Sequence, residues 1–299
     1  MGSETTHRDF EHNRYFINSR GKKILLRYWK TESPPEAILL FQHGYGEHSG
    51  RYRHIGTELA KAGIKMYAFD FEGHGRSPGL RGDIREVDYA VEDIQMVIRD
   101  IKQQFPETPL LVGGHCMGGM LSILAAQKMS DSIDGLMATA PLLDFADEIP
   151  KVVQETAKYV TSMAATFPIL SLDFQHLGSE DAVQELLDDE LVYKGKLRAR
   201  MVSQVNKYGR AARESVKKFQ KPIWIMHGDH DTLANPDVIR RLQGEIVNER
   251  SEITLLSDQL HMMLHGTHWK EITSSMSEWI YDAIVRITPV KSMNYRDRK

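Results

Sequence analysis

Short apolar runs alternate with longer amphipathic ones along most of the chain. Residues 23–29, 37–42, 64–70, 109–113, 133–139, 222–227 and 252–256 predict strands. Several are rich in Ile, Leu and Val on both faces, as strands buried inside a parallel sheet are. Between them, residues 51–62, 87–105, 117–128, 237–248 and 268–287 predict helices. Within 87–105 the apolar side chains fall at 87, 90, 91, 94, 97, 98 and 101, one stripe of a helix. This alternation predicts an α/β fold: a doubly wound, mostly parallel sheet with right-handed crossovers.

The alternation breaks between Leu142 and Lys217. Residues 151–165 follow a helical period, an apolar run spans 167–174, and charged helical sequence continues through Arg213. No strand pattern stands out there. The break predicts a helical cap, residues 142–217, inserted into a core made of 1–141 and 218–299. Residues 289–299 read as a polar tail, and residues 1–13 are polar without the apolar centre of a secretion signal. No run approaches the roughly 20 apolar residues that span a bilayer. A cytoplasmic protein is expected, with peripheral membrane contact through the cap left open. Lys and Arg total 38 against 41 Asp and Glu, a net charge of -3, which speaks against a nucleic-acid partner. A single cysteine, Cys116, excludes an intramolecular disulfide.

That cysteine sits in the strongest local signal. Gly114-His115-Cys116-Met117-Gly118 is entered from an apolar run and left into a helical one. The pattern is G-x-S-x-G with Cys in the Ser position, a nucleophile elbow that lifts one side chain off the end of a sheet. Glycines flank it because bulkier neighbours would clash in so tight a turn. The N-terminus of the following helix favours an anionic sulfur or oxygen. A buried structural Cys is the rival reading, disfavoured because pattern and context agree.

A second signal, Gln42-His43-Gly44-Tyr45-Gly46-Glu47-His48-Ser49-Gly50-Arg51-Tyr52, directly follows a predicted strand. Such a turn aims a backbone N–H at a developing oxyanion; Tyr45 would supply one donor and Met117 the other. An acid and a base should then follow the nucleophile in that order. Asp231 in Gly228-Asp229-His230-Asp231-Thr232 is the candidate acid, with Asp229 as alternate. His261, on the loop after the last predicted strand, is the candidate base, and Asp258 reads as a solvated charge. His261, His265 and His268 would share one helix face and suit zinc, but Gly266 interrupts that helix, so no metal or cofactor is expected. The glycine-rich residues 71–77 lack both phosphate-binding patterns and predict a structural turn.

Together these pieces resemble the monoacylglycerol lipase and lysophospholipase-like group of α/β-hydrolases. The resemblance rests on HGYGEHSGRY at 43–52, FDFEGHGRSPG at 69–79, GHCMGG at 114–119, HGDHDT at 227–232 and His261, over about residues 15–285. It implies a nucleophile, acid and base at Cys116, Asp231 and His261, and a polar head-group site at Glu47 and Arg51. His265 is the nearest match to a further head-group histidine, at a different spacing. It also implies that the apolar cap receives acyl chains. Tyr159, Val160, Met163, Phe167, Ile169 and Leu170 are too numerous for a purely solvent-exposed insertion, so a subset is expected to line a tunnel to Cys116 or touch lipid while the others pack the cap onto the core. The expected activity is cleavage of a carboxylic ester of an acyl lipid through a covalent acyl-enzyme. Two departures stand out. Tyr45 replaces a small residue of the animal enzymes, and Cys116 replaces the family's Ser. The second is either an engineered Ser-to-Cys change or the mark of a natural thiol acyltransferase or thioesterase. A third class is a ligand-binding relative without turnover.

Overall fold

The structure, a computed structural model, describes residues 10–145, 150–246 and 248–287. Its main sheet contains β1 (Glu11–Ile17), β2 (Lys23–Trp29), β3 (Ala37–Gln42), β4 (Ile64–Phe69), β5 (Leu110–His115), β6 (Gly135–Thr139), β9 (Ile223–Gly228) and β10 (Ser251–Leu256). The spatial order is β1-β2-β4-β3-β5-β6-β9-β10. β1 and β2 pair antiparallel, as do β2 and β4; from β4 to β10 every pairing is parallel. This is the α/β-hydrolase architecture. β1 corrects the sequence reading, which placed only polar chain before residue 14. Its residues, Glu-His-Asn-Arg-Tyr-Phe-Ile, are mostly polar because it is an edge strand with one solvated face. Salt bridges from Glu11 to Arg27 and Arg53, and from Arg14 to Asp100, hold it down.

β3 is buried along its whole length because helices cover both faces of the sheet. Its alternating side chains divide between two apolar clusters. Ile38 and Leu40 join the side formed by α2 (Val87–Gln104) and α3 (Met117–Lys128). Leu39 and Phe41 join the side formed by α1 (Arg53–Lys61) and α8 (Trp269–Ile287). α3 is buried from Met117 to Ala126. It lies between the sheet and α6, so its sequence is apolar all round rather than striped.

Between β6 and β9 the chain forms α4 (Lys151–Ala164), β7 (Pro168–Leu170), α5 (Glu180–Asp188), β8 (Leu197–Arg198) and α6 (Ala199–Lys218). β7 and β8 make a two-stranded antiparallel ribbon that the sequence reading missed, since two or three residues carry no period. Polar bonds tie this segment to the loops after β3 and β4. Tyr193 N donates to Gly46 O at 2.8 Å, Arg200 meets Asp83 at 2.7 Å, and the His48 ring meets Asp189 at 2.8 Å.

Because β3, β5, β9 and β10 run parallel, the loops leaving them gather at one edge of the sheet. That edge is where ligands bind in open α/β sheets. The glycine-rich residues 71–77 are a structural turn, as predicted. Asp70 accepts hydrogen bonds from Ser49 N and Arg76 N at 2.8 Å each, clasping this turn to the loop after β3. Contact at the edge is close. A Cβ on Gly118 would lie 2.4 Å from Gln42 O and 2.5 Å from His43 O. Gly118→Ala should therefore destabilise the protein by about 1–3 kcal/mol through overpacking. Gly244→Ala, a helical position with open space around it, should be neutral or stabilising by up to about 1 kcal/mol. Thermal unfolding of the two variants measures the contrast; equal effects would refute the packing argument.

Candidate active site

Cys116 is the first residue beyond β5 and has φ 53° and ψ -120°. A non-glycine residue held at positive φ is strained, and backbone bonds on both sides hold it there. Its N–H donates to Thr139 O at 3.0 Å, and its C=O accepts from Leu142 N at 3.0 Å and Met120 N at 3.2 Å. On one side Gly114 has no room for a Cβ, which would lie 2.5 Å from Gly118 C. The thiol points from this turn into a largely buried pocket.

His261 comes from the loop after β10 and Asp231 from the loop after β9. The imidazole Nδ1 lies 2.7 Å from Asp231 Oδ2, and the ring shares the pocket with the Cys116 sulfur and interacts with it electrostatically. Asp231 is fastened from every side. Its Oδ1 accepts from Leu233 N and Ala234 N at 2.9 Å each, and His227 Nε2 lies 3.1 Å from Oδ2. Burial pushes this carboxyl up, but the His261 charge and the hydrogen bond from His227 outweigh it, so it stays ionised well below the usual range. For His261, burial works against charge, yet the Asp231 carboxylate and the Cys116 sulfur raise its pKa well above the ordinary value. Asp229 accepts from Asp258 N instead, so Asp231 is the acid that meets the imidazole.

The His115 ring lies 4.8 Å from that of His261, tilted at 49°, and burial together with the His261 charge pushes its pKa down to about 3. It is a neutral wall of the pocket. Sequence reasoning missed three contributors: His115, His227 and Tyr52. His227 read as the last residue of a strand, and only the fold places it against Asp231. Tyr52 read as part of a helix start, yet its hydroxyl reaches Glu47.

The loop after β3 touches the nucleophile: a Cβ on Gly44 would lie 3.2 Å from Cys116 Cβ. Tyr45 lines the pocket, while its hydroxyl is drawn outward to Gly82 O at 2.7 Å and its ring packs edge-on to His74 and Tyr193. The larger side chain is therefore used to brace the loop against the inserted segment. Met117 opens α3, so its N–H is one of the donors a helix leaves without an intrahelical partner.

Glu47 is buried at the centre of a polar group. Its Oε2 accepts from Tyr52 OH at 2.7 Å and Gly44 N at 3.1 Å, and Arg51 Nε lies 3.3 Å from Oε1. His265 Nε2 lies 3.8 Å from the same oxygen. Burial raises the Glu47 pKa; the Arg51 charge and the hydrogen bond from the Tyr52 hydroxyl overcome this and hold it well below the usual range. Burial and Arg51 keep His265 neutral. Arg51 Nη2 and His265 Nε2 are buried without a hydrogen-bond partner. Of the three predicted head-group residues, only Glu47 lines the Cys116 pocket. Arg51 and His265 line a separate, more open polar cleft of about 250 Å³ with His54, Glu185 and Asp189.

The Cys116 pocket is a narrow cleft, with room for the centre of a water-sized sphere over only about 40 Å³. Apart from Glu47, His115 and His261 its walls are mostly apolar: Leu142, Phe145, Leu172, Phe174, Leu177, Leu186, Leu197, Met201, Val205, Leu233 and Met262. None of the six predicted acyl-lining residues is among them. Tyr159, Met163 and Phe167 are instead 65%, 89% and 57% exposed, and Ile169 and Leu170 pack partly buried against the core. Part of that wall, Leu186, Met201 and Val205, comes from α5 and α6, whose inward stripes lie within charged sequence.

The family model described as "Serine aminopeptidase, S33" matches residues 33–268. The chain belongs to this family. Among individual members, it is similar to the monoacylglycerol lipase of Mycolicibacterium smegmatis, 26% identical over 266 residues, 89% of this chain and 95% of that one. It is also similar to monoglyceride lipase of Homo sapiens, 26% identical over 267 residues, 88% of this chain and 86% of that one. The solved monoacylglycerol lipase of Paleococcus ferrophilus superposes with a TM-score of 0.79 at 27% identity, covering 87% of this chain and 99% of that one. This member of the serine aminopeptidase family is a monoacylglycerol lipase-like carboxylic ester hydrolase, with Cys116 in the elbow.

The folded-state pKa of Glu47 lies below its unfolded value, so its ionisation contributes stability above the unfolded value of about 4.3, and that contribution is lost as pH falls. Glu47→Gln should cost about 3 kcal/mol at neutral pH, as breaking a buried ion pair does. The gap to the unmodified protein should narrow as pH drops through about 4 toward 3. Urea unfolding across that range checks both the size and the sign. A gap that widens in acid would contradict the assignment.

Proposed function

We propose that the protein hydrolyses a carboxylic ester of a medium or long acyl chain through a covalent acyl-enzyme on Cys116. One observation carries this reading: a cysteine on a strained elbow, beside a histidine that a buried aspartate holds, at the floor of an apolar pocket. Cys116 Sγ attacks the ester carbonyl carbon while the His261 ring holds the thiol proton. The N–H groups of Tyr45 and Met117 receive the developing oxyanion. The tetrahedral intermediate collapses, the C–O bond breaks, and His261 gives its proton to the departing alcohol. Water then adds to the acyl-enzyme with His261 as base, and the acid leaves as the thiol re-forms. Asp231 holds the tautomer and supports the charged imidazole. His227 acts through Asp231 as a positioning residue.

The apolar wall takes the acyl chain, and the Glu47–Arg51–His265 group takes the polar alcohol. Similarity to monoacylglycerol lipases supports an acylglycerol or lysophospholipid substrate. The exposed Val152, Tyr159, Met163 and Phe167 on α4 and just beyond it support peripheral contact with a lipid surface. No helix among the described residues is long and apolar enough to cross a membrane.

Each buried CH₂ is worth about 0.8 kcal/mol, nearly fourfold in affinity. The kcat/KM for a series of acylglycerols should therefore rise steeply with chain length until the pocket is full. Met201→Lys should flatten that rise while leaving a short activated ester cleaved. A flat profile in the unmodified enzyme would refute the acyl pocket and point to a small polar substrate. A second prediction concerns Asp231→Asn, which should lower kcat by roughly 10³–10⁴-fold with little change in KM. Unchanged steady-state turnover would remove Asp231 from the mechanism.

A further inference from the structure

Serine would complete the elbow as the family name implies, so the sulfur of Cys116 raises the question of which acyl donor it suits. We propose that this site cleaves acyl thioesters in preference to alkyl oxygen esters of the same acyl chain. The inference rests on the acyl-enzyme reading above and specifies its donor.

The argument is one of partition in the tetrahedral intermediate. When Cys116 attacks an oxygen ester, one sulfur and one alkoxide compete to leave. Free thiols have a pKa near 8.5, whereas water, and alcohols with it, lie near 15.7. The sulfur is the better leaving group by many orders of magnitude, so the intermediate reverts to ester and free enzyme. Forward collapse needs full protonation of the alkoxide, and the one proton available is the one that His261 shares with the Cys116 sulfur. His261 faces Asp231, that sulfur and the His115 ring. His115, the nearest further ring, is neutral and cannot supply a second proton.

A thioester removes the mismatch. Cys116 Sγ attacks the carbonyl carbon, a new C–S bond forms, and the donor C–S bond breaks. The two sulfurs leave with similar ease, and the departing thiolate takes the proton from His261. The second half is then favourable. A hydroxyl, from water or an alcohol, adds to the acyl-enzyme with its proton passing to His261. The Cys116–acyl bond breaks with sulfur as the better leaving group, and the thiol regains its proton. The product is an acid with water or an oxygen ester with an alcohol.

The pocket fits this division of labour. Its wall around Cys116 is apolar, from Leu142 and Phe145 to Met201 and Val205, and suits the acyl chain common to both donor types.

The test measures decanoic acid released from the decanoyl thioester of N-acetylcysteamine and from ethyl decanoate, for the unmodified enzyme and for Cys116→Ser. In the unmodified enzyme kcat/KM for the thioester should exceed that for the ester by at least about 100-fold. In Cys116→Ser the ratio should shrink by a similar factor, because an oxygen nucleophile loses its disadvantage. An unmodified ratio near one, or a ratio no smaller in the Ser form, would overturn the proposal. An unmodified enzyme that cleaves both substrates at similar rates would overturn it while leaving the acyl-hydrolase reading intact, whereas Cys116→Ser active on the ester beside an unmodified enzyme inert to both would overturn it together with the reading of Cys116 as the working nucleophile. Inertness of both forms toward both substrates would overturn the acyl-hydrolase reading too. The unmodified ratio stands on its own if the Ser form fails to fold.

Discussion

Everything at the site depends on one backbone conformation, the positive φ of Cys116. It costs on the order of 1–3 kcal/mol and persists because its neighbours leave no alternative. The residue is bonded through its N–H to Thr139 and through its C=O to Leu142 and Met120. Gly114 and Gly118 are absent side chains against which the end of β3 and the start of α3 close to contact distance. Relaxing the turn would swing the thiol away from His261 and shift the start of α3. The position of the thiol and the start of the helix are thus one geometric constraint.

The parallel sheet multiplies that constraint. Loops after β3, β5, β9 and β10 reach the same edge, so groups more than a hundred residues apart in sequence meet without a long arm. Charge is arranged with equal economy. Each buried carboxylate is held by several donors: Asp231 by two backbone N–H groups and two histidines, Glu47 by a tyrosine, an arginine and a backbone N–H. Such groups are costly to bury unless fully paired. The pairing fixes the imidazole on one side of the pocket and closes the polar wall on the other.

Much of this was legible in the sequence because the physics involved is local. A strand covered on both faces must be continuously apolar, which marked β2 and β3 to the residue. A turn with no room for side chains must carry glycine, which marked Cys116, and chain order then separated Asp231 and His261 from the rest. What stayed hidden depends on long-range packing. β1 alternates like a solvated loop because one of its faces is solvated. β7 and β8 are too short to show a period. The inserted segment does line the pocket, through Leu172 and Phe174 of its apolar run and through Leu186, Leu197, Met201 and Val205, whose neighbours are charged, rather than through the six apolar residues between 159 and 170. His227 and Tyr52 acquire their meaning only when the fold places them against Asp231 and Glu47. At Glu47, Arg51 and His265 the resemblance pointed to one cluster, and the structure shows it spanning two separate cavities.

The central claim is that acyl groups pass through the sulfur of Cys116, the chain's single cysteine. The direct measurement is rapid acid quenching during turnover of an acyl substrate, followed by proteolysis and mass spectrometry. The account predicts one acyl mass added to the peptide that carries Cys116, sensitive to hydroxylamine and absent in Cys116→Ala along with turnover. Steady turnover by Cys116→Ala, or an acyl group found on any other residue, would contradict it.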